Sequence, residues 1–193
     1  MKLLLASQSP RRRQLLAELG YPIDYVSISV EESTPPGLPA SEVAGYLAEL
    51  KASACPDGHI GDGQVLITAD TVVVCEGHVL GKPANRDEAL AMLRSLSGRR
   101  HTVYTGVCLR TRKRKHTFSE ATEVTFAPLE ERDLAYYVDT YRPFDKAGAY
   151  GIQEWIGMVG IEAINGCYYN VVGLPVARMY RELKKLYRDT ESI

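Results

Sequence analysis

Three consecutive arginines, Arg11, Arg12 and Arg13, fall where a helix is expected to begin. Ser9 suits the position before a helix and Pro10 suits its first residue, so the arginines lie in the first turn. The helix dipole disfavours cations at this end, whereas its free N–H groups bind anions. Arginine donors also match phosphate oxygens in shape. The segment therefore predicts an oxyanion site for a polyphosphate, with a solvated basic turn as the alternative.

Two acidic segments supply carboxylates for the same chemistry. Asp70 interrupts the apolar run Val65–Val74, where a buried charge is costly unless it is paired. Glu31 and Glu32 follow a strand-like run and open a proline-rich loop. Asp70 and a glutamate of this pair have the oxygen ligands that Mg²⁺ or Mn²⁺ takes beside substrate phosphates. A structural ion pair at Asp70 and solvated loop glutamates are the alternatives.

Lys82 and Gln153 are further polar candidates in predicted loops. Pro83 restricts the backbone of Lys82 to extended conformations and so helps to fix the direction of its side chain. Gln153 ends the segment 145–153, and long loops in compact domains are often functional. The amide of Gln153 has donor and acceptor groups suited to a nucleobase edge. An ordinary surface side chain is the alternative for both residues.

Alternating strand and helix patterns position these residues. The predicted helices cover Pro10–Leu19, Ser41–Cys55 capped by Ser41, Arg86–Leu96 capped by Asn85, Leu129–Val138 and Leu174–Tyr187. The predicted strands cover Leu3–Ala6, Tyr25–Val30, Val65–Cys75, His78–Leu80, His101–Thr111 and Thr117–Phe126. Asn165-Gly166 predicts a tight hairpin between strands at Met158–Ile164 and Cys167–Val172. The mixture of βα units and hairpins predicts an α/β fold with a mixed sheet flanked by helices.

Composition restricts the class of protein. The chain has 193 residues, of which 45% are apolar and 24% charged, with a formal net charge of −1. These values are ordinary for a globular protein and give no global field that attracts nucleic acid or a membrane. The four cysteines have no paired spacing, which argues against a disulfide framework or a metal cluster. No apolar run has the length of a membrane span, and a reducing cytoplasm is the expected compartment.

Several segments together resemble the Maf nucleoside triphosphate pyrophosphatases over nearly the full length of the chain. The segments are 7–12, the pair Glu31-Glu32, Lys51 in 50–52, 69–73, 81–83, 97–101, 105–106, 145–153 and 173–175. The resemblance implies one domain over residues 1–193, with a curved mixed sheet, two lobes and a central cleft, as in inosine triphosphatases. It also implies hydrolysis of a nucleoside triphosphate to the monophosphate and pyrophosphate with a divalent metal cation.

The resemblance also assigns roles to individual residues. It places the proton acceptor at Asp70, the metal at Glu32 and Asp70, and the remaining catalytic cations at Lys51 and Lys82. The expected substrate-binding residues are Ser7, Arg11, Arg12, Thr71 and Gln153. The segment 145–153 resembles the branch of the family that acts on dTTP and UTP, and the positions linked to that preference correspond to Arg11, Thr71 and Gln153. Modified pyrimidine nucleotides are further candidate substrates. Glu154 departs from the family pattern, since many relatives have glycine at this position.

Two other functions remain open at this point. One is a nucleotide sensor that binds the triphosphate through the same arginines without cleaving it. The other is a protein that binds nucleic acid or a protein partner through the basic segment Arg110–His116. The near-neutral net charge argues against nucleic acid. The expected partner is the nucleoside triphosphate substrate, and a homodimer is an alternative to a monomer.

Overall fold

The computed structural model describes residues 1–191, which form seven strands and seven α-helices. The strands are β1 (Lys2–Leu5), β2 (Ile23–Tyr25), β3 (Gln64–Cys75), β4 (His78–Leu80), β5 (Arg100–Arg110), β6 (Lys115–Phe126) and β7 (Ile161–Asn165). The helices are α1 (Pro10–Ala17), α2 (Ala40–Ser53), α3 (Arg86–Leu96), α4 (Glu131–Tyr141), α5 (Trp155–Gly160), α6 (Tyr168–Val172) and α7 (Val176–Glu191).

The strands form one mixed sheet in the order β2-β1-β3-β5-β6-β7, with β4 paired to β3. β1 is parallel to both β2 and β3, whereas β4 is antiparallel to β3 and β7 is antiparallel to β6. This arrangement confirms the predicted α/β class with a mixed sheet flanked by helices. The predicted curvature, the central cleft and the single domain over 1–193 stay predictions.

The chain divides into two compact units, and the divisions fall within β3, β5 and β6 and after α6. The first unit contains residues 1–70 and 105–120 and continues from 173 onward, and the second contains 71–104 and 121–172. Each unit has a hydrophobic core of its own. In the second unit, α3, α4 and the end of β6 bury a cluster that includes Leu93, Tyr137 and Phe126.

The core of the first unit lies on both faces of β3. Ile67 and Ala69 pack in a cluster with side chains of β1, α1 and α7. Leu66 packs in another cluster with Ala48 and Ala52 of α2. Successive side chains of a strand point to opposite faces, so the even-numbered positions of this part of β3 lie on the side of α2. The continuous apolar run in the sequence follows from this burial on two sides.

A close approach of backbones also fixes α2 against the sheet. A Cβ atom placed on Gly106 of β5 would lie only 2.2 Å from the carbonyl oxygen of Ala44 in α2. No side chain fits at such a distance, so this contact requires glycine. The helix that carries Lys51 is thereby held close to the strands of the first unit.

Three predictions of local structure are wrong. The strand predicted over Tyr25–Val30 is instead β2, which ends at Tyr25. Its partner strand β1 ends at Leu5, which pairs with Tyr25. The last hydrogen bond between the two strands runs from the N–H of Val26 to Leu5 O at 3.1 Å, and in the described part of the chain the residues after Val26 have no strand beside them to pair with. Ser41 does not cap α2, because the helix begins one residue earlier and Pro39 takes the cap position without a side-chain hydrogen bond.

The predicted hairpin around Asn165-Gly166 is the third error. Residues 155–160 form α5, and β7 pairs with β6 along Glu123–Phe126. Residues after Gly166 form α6 rather than a returning strand. Gly166 has a φ of 130°, so the turn itself exists, but the chain leaves it as a helix. Asn170 of that helix is buried and donates to the carbonyl oxygen of Val103 at 3.0 Å.

Candidate active site

The start of α1 has the cap that the sequence predicts. Ser9 Oγ accepts a hydrogen bond from the backbone N–H of Arg12 at 3.4 Å, and Pro10 is the first helical residue. Ser7 Oγ accepts from the backbone N–H of Ser9 at 3.2 Å, which fixes the turn between β1 and the helix. The first turn contains no acidic residue, so Arg11 and Arg12 lie at the positive end of the helix dipole without a carboxylate in the same turn.

Arg12 joins three segments of the first unit. Its Nε donates to the carbonyl oxygen of Gly173 at 2.8 Å, and its Nη1 donates to the carbonyl oxygen of Ala69 at 2.9 Å. Burial lowers the pKa of Arg12 from its ordinary value, and the nearby charges of Asp70 and Glu32 act in the opposite direction. The Arg12 side chain therefore holds the backbone directly before Asp70, besides carrying a charge beside two carboxylates.

Arg13, the third arginine of the predicted oxyanion segment, supports the same turn from outside. Its Nε donates to the carbonyl oxygen of Ser7 at 3.1 Å. Its guanidinium lies over the ring of Tyr25, with the carbon of the group 4.9 Å from the ring centroid. Arg13 is exposed, so this contact stabilises the loop less than the partly buried hydrogen bonds of Arg12.

Asp70 and Lys51 lie in contact because a side-chain hydrogen bond fixes the position of α2 on β3. Thr68 Oγ1 donates to the carbonyl oxygen of Ala48 at 2.6 Å, and both groups are buried. Asp70 lies two residues after Thr68 and so on the same side of the strand, and Lys51 lies one turn after Ala48. Lys51 Nζ donates to Asp70 Oδ1 at 2.6 Å. Asp70 therefore forms the ion pair that the sequence left as an alternative, and Lys51 is its partner.

Glu32 joins the same ammonium group. Its Oε1 lies 3.0 Å from Lys51 Nζ. The side chains of Lys51 and Asp70 are 17% and 14% exposed, whereas that of Glu32 is 49% exposed. The loop carboxylate is therefore open to solvent and the strand carboxylate is mostly enclosed. Three residues that the sequence analysis selected, Glu32, Lys51 and Asp70, converge here, with Arg12 beside them.

The donor set of this cluster suits a hard divalent cation. Within residues 1–191, no group of three or more His, Cys, Asp and Glu side chains forms a complete metal site. Mg²⁺ does not need one, because it commonly binds through one or two carboxylates and the phosphates of its substrate. Glu32 and Asp70 provide two carboxylates that one small cation already bridges, and that cation is the Lys51 ammonium.

The second unit carries Thr71, Lys82 and Gln153. Thr71 is a half-buried residue of β3, whereas Lys82 and Gln153 are exposed. The backbone N–H of Gly148 donates to the carbonyl oxygen of Gly81 at 3.0 Å, which joins the segment 145–153 to the residue before Lys82. Gly148 has a φ of 67°, and a Cβ there would lie within 3.1 Å of the Val73 side chain. Glycine is therefore required at this contact.

Glu154, the departure from the family pattern, organises the loop that precedes it. Its Oε1 lies 3.1 Å from Lys146 Nζ, and its Oε2 accepts a hydrogen bond from the Tyr137 hydroxyl. The same hydroxyl accepts from the backbone N–H of Gly151 at 3.0 Å. Burial, with the hydrogen bond to Glu154 next, raises the pKa of Tyr137, so the phenol stays protonated and donates. Lys146 also contacts Asp145 at 2.7 Å.

Gln153 borders a surface cavity of about 410 Å³ in the second unit. Most of the lining is apolar, from residues that include Ile152, Met158 and Tyr168. A largely apolar concavity with a few polar groups is typical of small-molecule sites. An exposed amide at such a rim can form paired hydrogen bonds with a planar ring.

The sequence did not indicate three contacts that hold the selected segments in place, although Gly173 lies in one of the segments that resemble the family. The carbonyl of Gly173, the hydroxyl of Thr68 and the phenol of Tyr137 hold Arg12, α2 and the 145–154 loop respectively. A threonine within a strand and a tyrosine within an amphipathic helix give no local signal of such roles. Lys146 lies in the segment 145–153 that the sequence indicated. Its burial between the carboxylates of Asp145 and Glu154 could not be read from the sequence.

The basic segment Arg110–His116 is paired with acidic residues of the first unit. Arg110 contacts Asp57 and donates to the carbonyl oxygen of Cys55 at 2.7 Å, and Arg112 lies 2.6 Å from Asp62. These contacts reduce the positive charge that a nucleic-acid surface would need. A search of the described part of the chain for a membrane-crossing helix of sufficient length and hydropathy finds none.

The fold defines a class of α/β proteins with an open mixed sheet flanked by helices. Among solved structures, that of the Staphylococcus aureus Ham1 protein is similar in fold, with a TM-score of 0.54 and 15% sequence identity. The alignment covers 94% of this chain and all of that one. At this identity the likeness establishes the fold alone.

The chain belongs to the Maf family: the profile of the Maf-like proteins matches residues 2–186. A relative in Bacteroides fragilis named dTTP/UTP pyrophosphatase is 53% identical over 188 residues, or 96% of both chains. A relative of the same name in Bacteroides thetaiotaomicron is 49% identical with the same coverage. One in Flavobacterium psychrophilum, again with that name, is 45% identical over 93% of this chain and 91% of its own. The resemblance inferred from the sequence motifs is thereby confirmed.

Proposed function

We propose that this protein hydrolyses dTTP and UTP to the nucleoside monophosphate and pyrophosphate. The observation that carries the proposal is the convergence of Glu32, Lys51 and Asp70 beside Arg12. A site that only bound phosphate would gain nothing from two carboxylates, which repel it. The names of the relatives at about half sequence identity support the same reaction and the same substrates.

The first step is capture of the triphosphate at the start of α1. Ser7, Arg11 and Arg12 are assigned to its oxygens, because the positive end of the helix dipole and the guanidiniums there favour negative charge. Two donors of Arg12 bond to backbone carbonyls, which fixes the guanidinium beside the carboxylates of the cluster. Phosphoryl chemistry of this type depends mainly on positioning and charge neutralisation.

Cleavage then breaks the bond between the α-phosphorus and the oxygen that bridges to the β-phosphorus. A water oxygen bonds to the α-phosphorus, and the bridging oxygen leaves with the electron pair as part of pyrophosphate. We assign the proton of that water to Asp70 Oδ2, because Oδ1 is the oxygen that contacts Lys51. Lys51 and Lys82 are assigned to the charge that develops on the leaving group.

A divalent cation, Mg²⁺ or Mn²⁺, is assigned to Glu32 and Asp70. When bound, it makes an attacking water more acidic and neutralises phosphate charge. The carboxylates fit this role because the cluster has the composition of a substrate-assisted Mg²⁺ site. Glu32 is half exposed and therefore reachable from solvent.

Base selection is assigned to Gln153 and Thr71, with Arg11 as the third residue linked to the pyrimidine branch. A site that hydrogen-bonds a particular base edge rejects bases that leave its polar groups unpaired. The cavity beside Gln153 is of the size that small-molecule sites have. Modified pyrimidine nucleotides that keep the same edge are candidate substrates.

A cytoplasmic location completes the proposal. The four cysteines are free thiols, and three of them are buried. Unpaired cysteines are usual in a reducing compartment. The homodimer stays a prediction.

The test is a panel of nucleotides assayed for pyrophosphate release with Mg²⁺ and with Mn²⁺. We expect release from dTTP and UTP above that from dATP, dCTP and GTP, and no release when the cation is chelated. Lys115→Met serves as a control because Lys115 contacts Glu49 outside the cluster.

Three outcomes would contradict the proposal. Nucleotide binding without pyrophosphate release under either cation would favour the sensor. Release of phosphate instead of pyrophosphate would place the attack at another phosphorus. Faster cleavage of GTP than of dTTP and UTP would refute the assignment of base selection.

A further inference from the structure

Lys51 occupies the position between the two carboxylates where a divalent cation would lie. Its ammonium nitrogen is 2.6 Å from Asp70 Oδ1 and 3.0 Å from Glu32 Oε1. The contact with Asp70 is a hydrogen bond, and the contact with Glu32 is an ion pair. One monovalent cation of the protein thus bridges the same two carboxylates to which we assign Mg²⁺ or Mn²⁺.

The charges of the cluster balance without any added ion. Glu32 and Asp70 contribute two negative charges, while Lys51 and the adjacent guanidinium of Arg12 contribute two positive ones. A divalent cation that entered this arrangement would meet two fixed positive charges and would have to displace the lysine. The loss of a mostly enclosed ion pair opposes that exchange.

The lysine is anchored at its base and free to move only at its end. The α2 backbone around it is fixed by the Thr68–Ala48 hydrogen bond and by burial of Ala52. Lysine has a flexible four-carbon stem with a compact charged end. Its ammonium can therefore leave the carboxylates without any change in the helix, provided that another anion receives it.

We infer that Lys51 closes the carboxylate pair to free divalent cations, so that the cation enters together with the nucleotide. The inference rests on the proposed function, because the phosphate tail is the anion that draws Lys51 away. Movement of the ammonium to the phosphates frees both carboxylates at the moment when phosphate oxygens become available as further ligands. The two binding events then strengthen each other, and the coupling is reciprocal.

The experiment measures Mn²⁺ binding to the metal-free protein in the absence of nucleotide, from the electron paramagnetic resonance signal of free Mn²⁺. We expect weak binding by the wild type and binding at least about tenfold tighter by Lys51→Met, as removal of one charge near 4 Å implies. Lys51→Arg keeps the charge and should bind as weakly as the wild type. Lys115→Met removes a lysine from another carboxylate, Glu49, and should also match the wild type.

Two further variants locate the effect and separate it from folding. Glu32→Gln in the Lys51→Met background should return Mn²⁺ binding to the wild-type level. Mn²⁺ should raise the melting temperature of Lys51→Met and leave that of the wild type almost unchanged, because two unpaired carboxylates repel each other until a cation joins them.

The results that overturn the inference are distinct from those that overturn the reaction. Equal or weaker Mn²⁺ binding by Lys51→Met, or tight binding by Lys51→Arg, would show that the ammonium does not exclude the metal. Tight Mn²⁺ binding by the wild type would do the same. Failure of the wild type to release pyrophosphate from any nucleotide would instead refute the proposed function, whatever the Mn²⁺ measurements gave.

Discussion

Replacing Arg12 with lysine keeps the positive charge but removes the forked donor that joins α1 to two backbone carbonyls. Arg12 donates to Gly173 O at 2.8 Å and to Ala69 O at 2.9 Å. A single ammonium nitrogen has donors enough for both, but the two carbonyls are spaced for the separate nitrogens of a guanidinium. We therefore expect Arg12→Lys to retain one of the two hydrogen bonds.

The size of the effect follows from the lost contact. A hydrogen bond to a charged group contributes about 1.5–3 kcal/mol, and a carbonyl left without its donor adds to the loss. For a chain of this length, each 1 kcal/mol shifts the melting temperature by about 2–4 °C. Arg12→Lys should thus lower the melting temperature by about 3–12 °C. Because Ala69 directly precedes Asp70, kcat should fall as well.

The assay pairs thermal unfolding without nucleotide with steady-state kinetics on dTTP. Arg13→Lys is the matched control, because Arg13 is exposed and has one backbone hydrogen bond at 3.1 Å. It should shift the melting temperature by less than about 2 °C. An unchanged melting temperature in Arg12→Lys, with a loss confined to KM, would refute the positioning role and leave Arg12 as a simple phosphate ligand.

The remaining structural predictions concern the second unit and the contact between α2 and β5. Glu154→Gly should lower the free energy of unfolding by about 1–3 kcal/mol, because the Tyr137 hydroxyl loses its acceptor. Glu154→Gln keeps an acceptor, so its free energy of unfolding should fall by less. Chemical denaturation of both variants measures the difference. Burial lowers the pKa of His101 to about 4, so the unfolded chain, with a histidine pKa near 6.5, takes up a proton first as pH falls. Stability should therefore decline by up to about 3 kcal/mol between pH 6.5 and 4, and denaturation curves of His101→Asn should lack that part of the decline. Gly106→Ala should cost about 3 kcal/mol or more by overpacking, whereas Gly58→Ala, where the added Cβ meets open space, should leave the denaturation midpoint nearly unchanged.

Predictions from the sequence succeeded where local signals and burial agree. Ser9 and Pro10 fix the start of α1, and Asn85 caps α3, where its Oδ1 accepts from the N–H of Glu88 at 3.0 Å. The long strand β3 was predictable because a β-branched apolar run fits burial on both faces. In these elements, chain-local chemistry and tertiary environment favour the same structure.

The errors arose where distant pairing decides the outcome. Asn165-Gly166 is a strong hairpin signal, yet the strand before it pairs with β6 and the residues after it form a helix. Short apolar runs fit a strand or a helix equally well by periodicity. The end of β2 is likewise set by the length of β1, which no feature of Val26–Val30 reveals.

The sequence indicated which residues form the candidate site but not which contacts join them. Residue types indicated Asp70 and Glu32 as carboxylates for a cation and the arginines as phosphate ligands, and the family motifs added Lys51. The bridge that Lys51 forms between the two carboxylates depends on how α2 packs on β3, through Thr68 and Ala48. A contact of this kind requires the tertiary structure.

The role of Asp70 as proton acceptor is tested most directly by Asp70→Asn, with turnover and nucleotide affinity measured on the same preparation. Asparagine keeps the shape of the side chain and cannot take a proton from water. The account predicts that single-turnover pyrophosphate release from dTTP falls at least about 100-fold, while the Kd for dTTP changes by no more than a few-fold. Equal losses in release and in affinity, or release at the wild-type rate, would contradict it.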